Sequence, residues 1–201
     1  VLISESYRAQ QQELHETGSY GGMGASYVEM VADIINRLDV RHVLDYGCGS
    51  RLSLPDALAK SKRVQHPFKY QAYDPCVPKY AAPPVPAELV VSLDVLEHIE
   101  EDSIDEVLDH LAQLTEAVGF FSIDTGPAKK TLTDGRNAHV LQRPPEWWLP
   151  RIMCRFDLQT YQVVWKHPEN DDHFKFIVVV NAIPHAIEDT AGNKLDYHRP
   201  N

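Results

Sequence analysis

The sequence predicts an α/β chain: a mostly parallel sheet with helices on both faces, completed by a C-terminal antiparallel hairpin. Three observations predict it. Short apolar runs at 42–45, 68–73, 89–93 and 118–123 alternate with stretches of helical spacing, the pattern of successive β-α-β units. The run Leu89–Leu93 is apolar but for Ser92, as a strand buried on both faces requires. Two later runs, 156–165 and 174–183, are joined by the polar stretch 167–172 and read as the hairpin.

Each element follows from local composition. Ser4 to Glu16 is polar, with Tyr7 and Leu14 as its few apolar contacts, and is expected to be an amphipathic helix lying over the domain. Residues 17–24, TGSYGGMG, form a glycine-rich loop. Tyr27, Val28, Val31, Ile34, Ile35 and Leu38 then fall on one face of a helix. His42–Asp45 is a strand, Tyr46–Ser50 a turn holding Gly47 and Gly49, and Leu52 onward a helix with Pro55 in its tolerant first turn. Pro78, Pro83, Pro84 and Pro86 suit neither strand nor helix, so the sheet's third strand is expected to be shortened or missing. Ile104–Glu116 is a helix, with Ser103 and Glu106 placed as a capping pair. Thr125–Arg143 is a long connection after a strand end, where open sheets build substrate sites. The expected organisation is an N-terminal helix and covering loop (1–24), one catalytic-type domain (25–183) and a polar tail (184–201).

Strand, glycine turn and helix in that order make a nucleotide-type cradle, because glycine admits φ > 0 and lets a ligand lie against the backbone. Asp74, closing the second strand in AYDP, is placed to accept hydrogen bonds from a ribose diol. With VLDYGCGS at 43–50, AYDP at 72–75 and VVSLDVLEHI at 90–99, the chain resembles the class I, Rossmann-like S-adenosylmethionine-dependent methyltransferases. The resemblance covers residues 24–182 in element order. It implies S-adenosyl-L-methionine as cofactor, held by Asp45, Tyr46, Gly47, Cys48, Gly49, Tyr73, Asp74, Pro75, Asp94 and Val95, with Tyr20 closing over it. Arg51 stands where the family often has a third glycine.

Composition bounds the partners. At 201 residues and 43% hydrophobic the chain can bury one good core. A net charge of −10 is a poor match for a long phosphate backbone, so duplex nucleic acid is not expected as substrate. Cys48, Cys76 and Cys154 are scattered and suggest neither a disulfide framework nor a zinc knuckle. The longest apolar run is too short to cross a bilayer, nothing resembles a signal peptide, and a soluble cytoplasmic protein is expected.

The sulfonium is already electrophilic, so the protein must align nucleophile, methyl and sulfur and exclude water. A base is needed only where the acceptor loses a proton. His98 and His139 are the candidates. Lys129, Lys130, Arg136 and Arg143 form a basic cluster in the long connection, which points to an anionic acceptor, with Arg136, Asn137 and Trp147 as substrate contacts. Asp94-x-x-Glu97-His98 with His139 is also similar to the metal-binding pattern of small-RNA 2′-O-methyltransferases. The LEH string is common in metal-free relatives, so no metal is expected. The reading is O-methylation of a small-molecule or glycan acceptor. Its rivals are a nucleic-acid or nucleotide methyltransferase, distinguished by a salt-sensitive RNA shift, and a non-catalytic cofactor-binding scaffold or partner subunit, distinguished by binding without turnover.

Overall fold

The computed structural model describes residues 2–16, 22–167 and 170–183. Tyr20 and the tail 184–201 lie outside the described residues. Six strands form one sheet in the order β2-β1-β3-β4-β6-β5. They are β1 (His42–Tyr46), β2 (Lys69–Tyr73), β3 (Ala87–Leu93), β4 (Thr115–Asp124), β5 (Phe156–His167) and β6 (Asn170–Ala182). The first four pair in parallel, and β6 runs antiparallel between β4 and β5. This is the predicted α/β sheet with its C-terminal antiparallel pair. β2 is one edge strand, and the proline-rich stretch beyond it forms only a short 3-10 turn, Pro78–Tyr80, in place of a third strand.

Helices α1 (Glu5–Glu16), α2 (Val28–Arg37), α3 (Ser53–Ser61), α4 (Ile104–Leu114) and α5 (Pro145–Met153) complete the chain. Burial follows the sequence periodicity. One face of the sheet packs Leu44, Val90 and Phe121 against α4 and α5 through Val107, Leu111, Trp148 and Ile152. The other packs Val43, Val91 and Phe120 against Val31 and Ile35 of α2 and Leu54 and Leu58 of α3. A third cluster, Ile3, Tyr7, Cys76, Leu132 and Ala138, fastens α1 across the top of the sheet. Ser103 makes no side-chain cap on α4; its N–H instead reaches the Glu100 carbonyl at 2.9 Å and closes a preceding 3-10 turn.

This topology places the site. The chain leaves β1 toward β2 on one side and returns to β3 on the other, so a crevice opens beyond the carboxyl ends of β1 and β3. No helix among the described residues is long and apolar enough to cross a membrane.

Gly119 tests the packing of the central strand. A Cβ there would lie 2.6 Å from Phe121 Cζ and 2.8 Å from Val180 Cγ2. Gly119→Val should therefore lower stability by about 1–3 kcal/mol in chemical denaturation. An unchanged midpoint would show that this face is more loosely packed.

Candidate functional site

A cavity of about 480 Å³ opens at that crevice. Its floor is the glycine turn. The Gly47 and Cys48 N–H groups both point at the Tyr73 carbonyl, at 2.7 and 3.1 Å, which ties the turn to the end of β2. Gly47 has φ 83, and a Cβ there would meet Val95 Cγ2 at 2.4 Å. Both conformation and space therefore require glycine. Asp74 closes the loop from the other side. Its Oδ2 accepts from the Gly49 N–H at 3.0 Å and its Oδ1 from the Cys76 N–H at 2.8 Å. Arg51 lies exposed with its side chain alongside Gly22, and the turn continues through Leu52 at φ 44 before α3 begins.

Of the residues expected to hold a cofactor, Asp45, Tyr46, Gly47, Cys48 and Gly49 line the cavity. So do Asp74, Pro75, Asp94 and Val95 from the strand ends. Tyr73 does not; its ring packs at a tilt against Tyr46 with centroids 5.0 Å apart, and it gives its carbonyl to the turn. Asp45 is buried and accepts a hydrogen bond from the Tyr70 hydroxyl. Burial raises its pKa to about 7, although the Tyr70 bond opposes the rise. Burial likewise raises Asp74, against its two N–H donors and His15, whose Nε2 lies 3.9 Å away on α1.

The far end of the cavity is built by the residues after β3 and β4. Asp94, at φ 56, receives hydrogen bonds at Oδ1 from Tyr27 at 2.9 Å and Ser122 at 2.7 Å. Lys175 Nζ sits 2.5 Å from its Oδ2. Glu97 is fully buried; its Oε1 accepts from the Asp124 N–H at 3.0 Å. Its Oε2 has no partner among the described residues. Burial, followed by the Asp94 charge, raises its pKa well above the usual carboxylate range.

His98 and His139 meet here as a T-shaped pair with ring centroids 4.7 Å apart. His98 Nδ1 lies 2.7 Å from the Ala138 carbonyl and His139 Nδ1 2.6 Å from the Gly126 carbonyl. A carbonyl can only accept, so each Nδ1 carries the proton and each neutral ring has its lone pair on Nε2. Burial keeps both rings neutral, with His98 pushed down to about 3.

The expected substrate contacts lie elsewhere. The long connection folds on itself through a Thr131–Asn137 bridge, and the Asn137 amide clamps Ala128 and the His139 N–H. Arg136 is exposed, paired with Asp134 at 2.8 Å and 3.7 Å from Glu100. Arg143 pairs with Glu101, and Trp147 stacks beneath Arg151, whose guanidinium carbon is 3.8 Å from the ring centroid. Of the basic cluster, Lys129 and Lys130 border the cavity. Sequence reasoning missed Lys175, whose signal was a lone lysine inside the apolar run of β6, and it missed Asp124 and Tyr27.

Asp45 gives a sign that can be tested. Its folded pKa of about 7 lies above the unfolded value of about 3.9, so the folded state holds the extra proton between them. The stabilising contribution is complete below about pH 4 and is lost as pH rises through about 7. The stability difference between wild type and Asp45→Asn should therefore move against wild type over that window in urea unfolding. A constant difference would show that Asp45 is ionised throughout.

No family model matches the chain, and no curated protein matches it significantly. Solved structures do. The methyltransferase domain of bacterial CtHen1-C is 12% identical with a TM-score of 0.55, over 79% of this chain and 98% of that one. The 1,6-didemethyltoxoflavin-N1-methyltransferase of Burkholderia thailandensis, solved with its namesake ligand and S-adenosylhomocysteine, is 15% identical with a TM-score of 0.57, over 87% and 86%. An S-adenosylmethionine-dependent methyltransferase from Aquifex aeolicus is 14% identical with a TM-score of 0.53, over 86% and 98%. With the sheet order, the glycine turn and the cavity beyond β1 and β3, these likenesses show that the chain has the fold of the class I, Rossmann-like S-adenosylmethionine-dependent methyltransferases, whose cofactor is S-adenosylmethionine.

Proposed function

We propose that the protein transfers the methyl group of S-adenosylmethionine to a hydroxyl oxygen of a small-molecule or glycan acceptor that carries an anionic group. The observation that carries this reading is one cavity with two chemically different ends. The glycine turn and Asp74 form a cradle at one end, and the imidazole pair, Glu97 and Lys129 stand at the other. Asp74 keeps acceptor capacity for the ribose hydroxyls, since a carboxylate offers about four lone-pair sites and two are used by N–H groups. Gly47 and Gly49 admit the cofactor to the backbone, and Val95 walls the turn.

In the transfer the O–CH3 bond forms as the S–CH3 bond breaks. The bonding pair remains on sulfur to give S-adenosylhomocysteine, and the hydroxyl proton is lost. The Nε2 lone pairs of His98 and His139 are the groups placed to accept that proton. Lys129 and Lys130 at the rim favour an anionic acceptor, while Arg136 and Arg143 are occupied by carboxylates. A second reading, a nucleotide or nucleic-acid acceptor, draws on one observation. Glu97, His98 and His139 come together as they would in the pattern noted in the sequence, and a Hen1 methyltransferase domain is among the similar structures. A salt-sensitive shift of short RNA would favour it.

Two experiments bear on the reading. Asp74→Ala should weaken S-adenosylhomocysteine binding by about 1.5–3 kcal/mol in calorimetry, through lost charge-assisted bonds and a loosened turn. Unchanged affinity would remove Asp74 from the ribose. With an acceptor in hand, Lys129→Ala should raise KM, whereas His139→Ala should lower kcat by about 100-fold or more. Wild-type turnover in both would place the acceptor outside this end of the cavity.

A further inference from the structure

We propose that Trp165 is the platform on which the methyl acceptor lies, and that this acceptor is a phenol-type ring carrying a carboxylate. The inference rests on the methyltransferase reading above and narrows its acceptor. The sheet register carries it. Trp165 of β5 pairs with Lys175 of β6, and Lys175 pairs with Asp124 of β4. Directly opposed residues of neighbouring strands share a face, so the three stand in one row across the sheet. All three line the cavity. The row runs from closed to open: Asp124 is buried, Lys175 half-buried, and the Trp165 side chain 44% exposed.

An open indole in a cavity wall offers a wide, flat, apolar surface, and a planar ring stacks on it with its polar edges left free. Lys175 stands next to that surface by register. Its ammonium has three N–H donors. One goes to Asp94 Oδ2 at 2.5 Å, while Asp124 Oδ2 at 3.9 Å is beyond hydrogen-bond reach. Donors therefore remain for an acceptor oxygen. The Lys175 charge also acts on His139 and Glu97, so ammonium and imidazole face one space. Lys129 is exposed on the same cavity and, unlike Arg136 and Arg143, has no ion pair among the described residues. It is the cation assigned to the carboxylate.

The histidines select a phenol over a sugar hydroxyl. In the transfer the phenol oxygen bonds the methyl carbon, the S–CH3 pair stays on sulfur, and the phenol proton passes to His139 Nε2. Burial holds that imidazole below its ordinary value, and His98 is pushed down further, to about 3. A phenol near pKa 10 stands about four units above an ordinary imidazole, whereas an aliphatic hydroxyl, close to water at about 15.7, stands about nine above it. Lowering the imidazole widens both gaps. A hydrogen bond from Lys175 favours the oxygen anion, and only the smaller gap is within reach of such help.

The test uses the full chain labelled with fluorotryptophan and saturated with S-adenosylhomocysteine. Its three tryptophans give three fluorine resonances, and Trp165→Phe identifies one of them. Added para-hydroxybenzoate or para-hydroxycinnamate should shift the Trp165 resonance and leave those of Trp147 and Trp148 in place. In calorimetry on the same complex, Trp165→Ala should weaken their binding by about tenfold or more, and Trp165→Phe should restore it to within about threefold of wild type. Lys129→Ala should weaken it by about fivefold. Glucuronate and uridine monophosphate should leave the Trp165 resonance unmoved. A resonance that answers to glucuronate or uridine monophosphate and to neither phenol overturns the ring assignment in favour of a sugar or a nucleotide. One that answers to none of the four overturns the platform. The S-adenosylhomocysteine isotherm separates the two readings: cofactor binding without a phenol response sinks this inference alone, and absence of cofactor binding sinks the methyltransferase reading.

Discussion

Glu97, buried in the 3-10 turn that follows β3, holds the histidine end of the cavity together. Its main-chain carbonyl accepts from the Leu141 N–H at 3.0 Å and its Oε1 from the Asp124 N–H at 3.0 Å. One residue thus joins the 3-10 turn after β3, the end of β4 and the far limb of the long connection. His98, next in sequence, anchors Ala138 through its ring and receives the Tyr7 hydroxyl of α1 on its carbonyl. Helix α1, the connection and the strand ends are therefore all referred to two adjacent residues. Burying a carboxyl is unfavourable unless its oxygens are satisfied, and here one oxygen is satisfied by backbone while the other has no partner among the described residues.

The two ends of the cavity differ electrically for structural reasons. The cradle end carries Asp74 on two main-chain N–H groups and Asp45 on the Tyr70 hydroxyl, an arrangement that suits hydroxyl and ammonium donors of a ligand. The histidine end sets two neutral imidazoles and a protonation-prone carboxyl beside the Lys175–Asp94 pair. Lysines 129 and 130 then border an opening on a chain whose net charge is −10, so the positive charge there is local rather than global.

Much of the cradle was legible in the sequence because its parts are backbone devices coded by adjacent residues. Gly47, Gly49 and Asp74 announce a turn and an acid at strand ends whatever lies around them. The proline run announced the lost third strand in the same way, since proline forbids ladder bonds wherever it sits. The histidine end was less legible because side-chain pairing in the folded chain decides it. Arg136 read as a substrate contact, yet Asp134 and Glu100 occupy it. Asn137 read the same way, yet its amide is spent on holding the connection closed. Trp147 turned to the arginines of α5 and its approach rather than to the cavity. Lys175 carried the opposite lesson: a charge within an apolar strand needs a buried partner, and that partner was Asp94, far away in sequence.

A structure of the protein with S-adenosylhomocysteine tests the two-ended cavity most directly. The ribose hydroxyls are expected on Asp74, the ligand backbone against Gly47–Gly49, and the sulfur directed toward His98 and His139. A ligand bound with its ribose away from Asp74, or with its sulfur directed away from the histidine pair, would contradict this arrangement.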